Sequence, residues 1–394
     1  MGKRTDSMVN ENFKKKLEEI KIFAEKEVLP KAKVIDFKNE FPYDLCERMH
    51  HLKCFSLIIP KEFGGEGFGI YETAKIIETL SYASASIGLL VICHTTGLLP
   101  ILLTGSREQK ERFFGEVIEN KKLFAFALTE AKAGSDAASI KSIAKKSDNG
   151  EGYIIKGIKV FVTNIGISDF YTIFAKTEAR KGSRGISCFV IEKSCDGFEI
   201  LSVEEKIGMR GIPCGNLKLR NVKVSKDCLI GREGEGFKIG LNTLNNSRPF
   251  VAAQAIGIAR YSFNRAMVYA ANRKQFGKPI AKHQAVMFKL SKMAMNIEAA
   301  ECLTEKTCKM LDKKDPASSK FSAMSKAFAT DVAMETTIDT MQIFGGYATN
   351  RNGDIERLMR DAKITQIFEG SNEIQNLVIG NQLYKEAGIL EKIG

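Results

Sequence analysis

Much that would identify a simple function is missing from this 394-residue chain. It has nine cysteines, but no two form a Cys-x-x-Cys pair and their number is odd, so neither a zinc ribbon nor a disulfide framework is expected. No metal site is expected, and the thiols read as small hydrophobes of a reduced, cytoplasmic protein. The first twenty residues alternate charged and apolar groups without a continuous apolar core, so no secretory signal is expected. The most apolar stretch, Ile87 to Leu103, is interrupted by His94, Thr95, Thr96, Gly97 and Pro100. It reads as buried helices joined by a break, not as a membrane span. The formal net charge is +12, but the lysines form no dense block and no aromatic ladder runs between them. A solvated lysine-rich surface is therefore favoured, and no nucleic-acid partner is expected. The glycines of Ile59 to Gly67 lack a preceding strand and a Gly-Lys-Ser/Thr ending, which excludes a phosphate loop. Those of Gly231 to Gly236 precede a helix, but no βαβ unit follows, so a dinucleotide fold is disfavoured. Neither repeats nor low-complexity linkers occur.

What is present is an ordinary globular composition, 44% hydrophobic and 27% charged, in a chain long enough for two or three domains. Phe13, Leu17, Ile20 and Phe23 fall on one helical stripe, which Pro30 is expected to end. Helical spacing returns from Tyr71 to Glu119. At Leu123 the period changes to short Val-, Ile- and Phe-rich runs: Phe124 to Leu128, Tyr153 to Thr163, Phe170 to Lys176, Ile186 to Ile191, Phe198 to Val203 and Leu217 to Val224. Separated by Gly, Asn, Asp and Ser, they predict a small antiparallel barrel or sandwich. After Gly236 long helical patterns resume, with Asp315-Pro316 at a turn. The fold class is α+β, with a helical domain at 1–122, a β domain at 123–232 and a helical bundle at 233–394.

The chemistry centres on Glu369. The run Ile364 to Phe368 is apolar enough to be buried, Gly370 lets backbone approach a ligand, and Ser371 can cap the next helix. Burial would raise the carboxyl's pKa towards that of a useful base, although an exposed Glu in a capping loop has the same sequence. Phe126 to Asp136 leaves a strand into a small-residue turn, where Thr129, Ser135 and free N–H groups suit a pyrophosphate or ring edge, or an ordinary turn. Phe161 and Thr163 share a strand face, where Phe161 is either a stacking ring or a core residue. Arg248, at a kink before Pro249, needs an anionic partner. Arg273 to Pro279 with His283 and Gln284 is a polar loop between helices, and Met341 to Tyr347 either meets a ligand or ends a helix.

Taken in order, Leu128-Thr129-Glu130 with Ala133-Gly134-Ser135-Asp136, Phe161-Val162-Thr163-Asn164, Arg273-Lys274-Gln275-Phe276-Gly277, Gln342-Ile343-Phe344-Gly345-Gly346 and Phe368 to Gln375 resemble the acyl-CoA dehydrogenase family. The resemblance runs from Pro60 through Gln375. It implies a homotetramer with one FAD per subunit. Phe126, Leu128, Thr129, Gly134, Ser135, Phe161 and Thr163 would line the flavin, with Ser135 at its pyrophosphate or at the substrate. Arg273, Gln275, Phe276, His283, Gln284, Gln342, Gly345 and Gly346 would reach the FAD of a neighbouring subunit, and Ser371 and Glu373 would hold the adenosine side. Glu369 matches the catalytic base, with Phe368 and Gly370 beside the substrate, and Asn245 and Arg248 would contact the coenzyme A chain. The implied reaction is removal of an α-proton by Glu369 with hydride passing to flavin N5, giving a trans-2-enoyl thioester; electrons go on to an electron-transfer flavoprotein. This sequence departs from the family pattern at Ala131-Lys132, Phe161, Phe368 and Asn245. The last leaves open an acyl or aminoacyl group on a carrier protein, handled by a dehydrogenase or an oxidase. A DNA-binding relative on the same fold is the remaining alternative.

Overall fold

A computed structural model describes residues 2–148 and 150–389. The apolar stripe of α1 (Gly2–Phe23) buries Phe13, Ile20 and Phe23. Pro30 does not end this helix as expected. A π-turn, Ala24–Val28, leads into α2 (Leu29–Lys38), where Pro30 occupies the first turn and no intrahelical N–H is lost. After α3 (Tyr43–His51) come α4 (Ile70–Ala83), α5 (Ala85–Thr104) and α6 (Arg107–Glu119).

α5 is one continuous helix, not two joined by a break. Pro100 lies inside it, and the Thr172 hydroxyl donates to the Gly97 carbonyl at 2.7 Å in the disturbed turn. The helix is long and apolar enough to cross a membrane, but most of it is buried within the protein. His94, halfway along, is also buried. Its Nδ1 accepts from the Phe124 N–H at 3.1 Å and its Nε2 lies 2.7 Å from the Phe55 carbonyl, which makes Nε2 the donor. Burial pushes this imidazole's pKa down to about 3, so a neutral ring ties the N-terminal helices to the first strand.

The β domain is built from β1 (Phe124–Ala127), β2 (Ile143–Lys146), β3 (Gly152–Thr163), β4 (Phe170–Lys176), β5 (Ile186–Glu192), β6 (Phe198–Val203), β7 (Cys214–Ser225) and β8 (Leu229–Ile230). The order is β6-β7-β3-β2-β4-β5-β8, with β1 beside β4. Most ladders are antiparallel as expected, but β4 pairs in parallel with both β1 and β2. Tyr171, Ile173, Phe189, Leu217 and Leu219 form the core of this domain.

α7 (Gly236–Asn272) runs through Pro249 without interruption. A proline there has no N–H for the carbonyl four residues back, and the Ser322 hydroxyl donates to that Asn245 carbonyl at 2.6 Å. The short strands β9 (Lys274–Gln275) and β10 (Lys278–Pro279) form a hairpin before α8 (Gln284–Asp312), α9 (Ser318–Phe344), α10 (Ile355–Thr365) and α11 (Asn372–Glu386). Asp312, at the end of α8, accepts from the Ile70 and Tyr71 N–H groups at 2.6 and 3.1 Å and so caps α4 across the chain. Helices α5, α7 and α9 thereby surround the loop between α10 and α11, which carries Glu369.

Candidate active site

The stretch Ile364 to Phe368 is not a buried run. It is the end of α10 and a turn, and Ile367 is 58% exposed. The turn delivers Glu369 in the left-handed region (φ 53°), followed by Gly370 at φ 91°. A non-glycine residue held there costs about 1–2 kcal/mol, so surrounding contacts must hold it. They aim the side chain inward. Glu369 Oε1 accepts from the Thr96 hydroxyl of α5 at 3.2 Å, and Oε2 accepts from the Ser247 hydroxyl of α7 at 2.5 Å. Burial pushes the carboxyl above its ordinary value. The hydrogen bonds from Ser247 and Thr96, and then the charges of Arg248 and Lys326, pull it partway back.

Next to the carboxylate, α7 presents groups without partners. Among the described residues the buried Arg248 has no acceptor for its Nε, and the buried Thr243 Oγ1 and Asn245 Oδ1 have no partner. Buried polar atoms in a native protein normally find partners. α7 also carries Gln254 Oε1 without one, farther along the helix, but the unpaired Arg248 Nε lies where the Glu369 charge acts on it and so points to a polar ligand there. Arg248 therefore stands beside Glu369, with Asn245 one turn earlier on the same helix. Phe368 is half-buried against the main core.

One helical turn before Thr96, Cys93 connects this place to the β domain. Burial and then the nearby Glu369 charge push the Cys93 thiol well above its ordinary value, and a hydrogen bond with Thr163 opposes them. Thr163 ends β3, where a bulge between Lys159 and Val162 puts Phe161 at φ 55° and leaves the residue 66% exposed. The turn after β1 is held rigidly. Glu130 and Ala133 bridge each other, and the Glu130 carboxylate accepts from the Lys141 N–H at 2.6 Å, the Ser142 N–H at 3.0 Å and the buried Lys159 ammonium at 2.8 Å. Lys159 also donates to the Leu128 carbonyl at 3.1 Å, and Val160 N–H to the Thr129 carbonyl at 3.0 Å. Burial pushes the Glu130 carboxyl up, but Lys159 and the amide donors outweigh it and leave it below its ordinary value. Leu128 is buried and Phe126 packs on Phe174 at 5.1 Å. Gly134 and Ser135 face outward, with open space where a Cβ on Gly134 would lie.

The remaining residues singled out in the sequence lie elsewhere. Arg273, Gln275, Gly345 and Gly346 line a cavity of about 530 Å³ with Tyr269 and Phe344, whose rings stack at 4.1 Å. The residues around Glu369 do not contribute to it. Phe276 is 93% exposed at the hairpin, edge-on to His283, and Gln284 and Gln342 are exposed. Ser371 stands at the N-cap of α11, and Glu373 points to solvent. Sequence reasoning missed Thr96, Cys93 and Lys326 as site residues; Ser247 and Lys159 fell inside stretches set apart for Arg248 and Phe161, without the pairings seen here. Only Lys326 carried a signal, as a lysine set among Ser325, Ala327 and Ala329 on a helix that has to pack.

Comparison with known proteins places the chain among relatives along most of its length. The N-terminal domain of acyl-CoA dehydrogenases matches residues 10–121, the middle domain 125–222 and the C-terminal domain 234–384. An acyl-CoA dehydrogenase of Bacillus subtilis is 40% identical over 92% of this chain and 96% of its own length. Butyryl-CoA dehydrogenase from Megasphaera elsdenii superposes with a TM-score of 0.92 at 37% identity, covering 94% of this chain and 98% of that one. The prolyl acyl carrier protein oxidase AnaB superposes with a TM-score of 0.90 at 29% identity, covering 94% of this chain and 98% of that one. PigA, solved with FAD and proline, superposes at 0.90 with 26% identity over 96% of this chain and 97% of that one.

Proposed function

The chain belongs to the acyl-CoA dehydrogenase family of FAD-dependent oxidoreductases, and from that premise we propose that it desaturates an acyl-coenzyme A thioester between its α and β carbons, with Glu369 as the base. The residues present fit the cofactor. Phe161 offers an exposed ring face at a strand end, and among the described residues neither the Thr129 nor the Ser135 hydroxyl has a protein partner. The open space at Gly134 lets the pyrophosphate approach backbone N–H groups. When bound, FAD supplies the acceptor for hydride from the β-carbon.

The chain's own residues account for the other half of the reaction. A thioester α-proton is weakly acidic, so a base must be held against it while the carbonyl oxygen gains negative charge. Glu369 has the inward orientation and the raised proton affinity for this role. Its own N–H has no acceptor among the described residues and is available to a developing oxyanion. Arg248 and Asn245 offer unpaired polar atoms to the thioester's carrier arm. In this reading the product is a trans-2-enoyl-coenzyme A, an electron-transfer flavoprotein receives the electrons, and the enzyme works as a cytoplasmic homotetramer built from units 1–122, 123–232 and 233–394. A thioester on a carrier protein is the second reading, supported by the similarity to AnaB.

The observation that carries the proposal is the Glu369 carboxylate turned inward between Thr96 and Ser247. Anaerobic titration with acyl-coenzyme A thioesters of graded length and branching, read as flavin bleaching, tests it. A matching thioester should bleach the flavin, and Glu369→Gln should keep FAD bound while turnover falls by about 10²–10⁴. Retained turnover in that variant would remove the assignment. Turnover with and without an added electron acceptor separates a dehydrogenase from an oxidase.

A further inference from the structure

Behind Glu369 lies a second cationic group that the reaction as described does not use. Lys326 of α9 is fully buried, and its Nζ donates to the Gly370 carbonyl at 2.9 Å and to Asn372 Oδ1 at 2.9 Å. Asn372 is itself held, donating to Asp331 Oδ1 at 2.7 Å and to Thr330 Oγ1 at 2.9 Å. From below, Gln375 Nε2 donates to the same Gly370 carbonyl at 2.9 Å and to the Glu369 carbonyl at 3.4 Å. The two carbonyls of the left-handed pair Glu369-Gly370 are thus fixed by side chains from α9 and α11. A lysine that loses all exposure needs such acceptors, and here they belong to the loop that carries the base.

We propose that Lys326 is a positioning residue for the acyl-CoA dehydrogenation. It holds the Glu369 loop in its left-handed conformation through Gly370 and Asn372, and it places a cationic group behind the base. The proposal rests on the assignment of Glu369 as that base. The charges that act on Lys326 are Glu369 on the loop, Arg248 on α7, Asp331 on α9 and, from the solvent side, Glu373 on α11. Burial pushes the lysine down to about 7, and Glu369 is the largest influence holding it up. Lys326 therefore keeps part of its charge at neutral pH, and either protonation state can donate to Gly370. Removing it takes away both the clamp and a charge that favours ionised Glu369.

Lys326→Met, Lys326→Arg and Glu369→Gln are compared as FAD-loaded proteins, with turnover expressed per bound FAD. For Lys326→Met, kcat should fall about tenfold to a hundredfold while KM changes little, since a hydrogen bond to a charged group is lost. The acid limb of its kcat profile should move to higher pH, and Lys326→Arg should recover most of both. If Lys326→Met does not accumulate with FAD bound, Lys326→Gln, which keeps a donor without the charge, should show the same upward movement. Wild-type kcat and acid limb in the Met or Gln variant would overturn the proposal. So would a loss that disappears when rates are normalised to bound FAD, because that would be structural only. Turnover retained in Glu369→Gln would instead sink the base assignment, whatever Lys326 does.

Discussion

Burial raises the proton affinity of Glu369 while Ser247, Thr96, Arg248 and Lys326 lower it, and the balance leaves the carboxyl above its ordinary value. In the proposed function Glu369 acts only when ionised, so kcat/KM should fall as pH drops through that raised value. Ser247→Ala and Thr96→Val each remove a donor to the charged form, and each should move this acid limb up by about one pH unit. The Ser247 change should be the larger, since its hydrogen bond is 2.5 Å against 3.2 Å. A limb that stays in place or moves down in both variants would show that the hydroxyls do not act on the base. Glu369 was legible in the sequence because its own neighbours, an apolar residue, a glycine and a cap, carry the signal. Its partners were not, because Thr96 lies 273 positions away in an apolar run and Ser247 122 positions away, where only the neighbouring Arg248 asks for an anion. Thr96 was in view only as one of the polar residues interrupting an apolar run.

Periodicity located the long helices and six of the strands. It failed where another element supplies what the local sequence lacks. Pro100 and Pro249 predict a break and a kink, yet hydroxyls of Thr172 and Ser322 take carbonyls in the disturbed turns and both helices continue. β2 was missed because Lys145 and Lys146 leave it a single buried residue, Ala144, and it is a strand only through its neighbours β3 and β4. The turn after β1 was recognised as special, but its anchor was not. Lys159 faces the β1 turn from β3 and neutralises Glu130, a pairing that sequence spacing does not reveal. Lys159→Met should leave the Glu130 carboxylate buried without a counter-charge, costing roughly 3–5 kcal/mol and releasing FAD as the Thr129 turn loosens. Adding Glu130→Gln should return part of that stability, because the stranded charge is gone. Denaturant unfolding of the two singles and the double measures the coupling, and purely additive losses would contradict it.

At the scale of the molecule, the order of helices, β sheet and helices was readable because the hydrophobic period changes twice along the chain. What one chain's sequence does not display is which of its surfaces complete a site elsewhere. The residues singled out for FAD divide into one group around Thr129, Phe161 and Thr163, which Cys93 links to Glu369, and another around the Arg273 and Gly345 cavity, which is lined by neither Glu369 nor its partners. Phe276, Tyr347, Val268, Phe288 and Met295 are exposed on the helices and loops near this second group or beyond it, more apolar surface than a solvated face needs. In the homotetrameric reading the second group serves the FAD of a neighbouring copy, and complementation can test this. Glu369→Gln lacks the base, and Arg273→Glu places a negative charge where the neighbour's cofactor would bind, so each variant alone should be nearly inactive. In co-expressed mixed oligomers, some sites pair an intact Glu369 from an Arg273→Glu subunit with an intact Arg273 from a Glu369→Gln subunit. Random pairing of equal amounts should restore about a quarter of wild-type activity. If Arg273 acted within its own subunit, every site would keep one lesion and mixing would restore nothing.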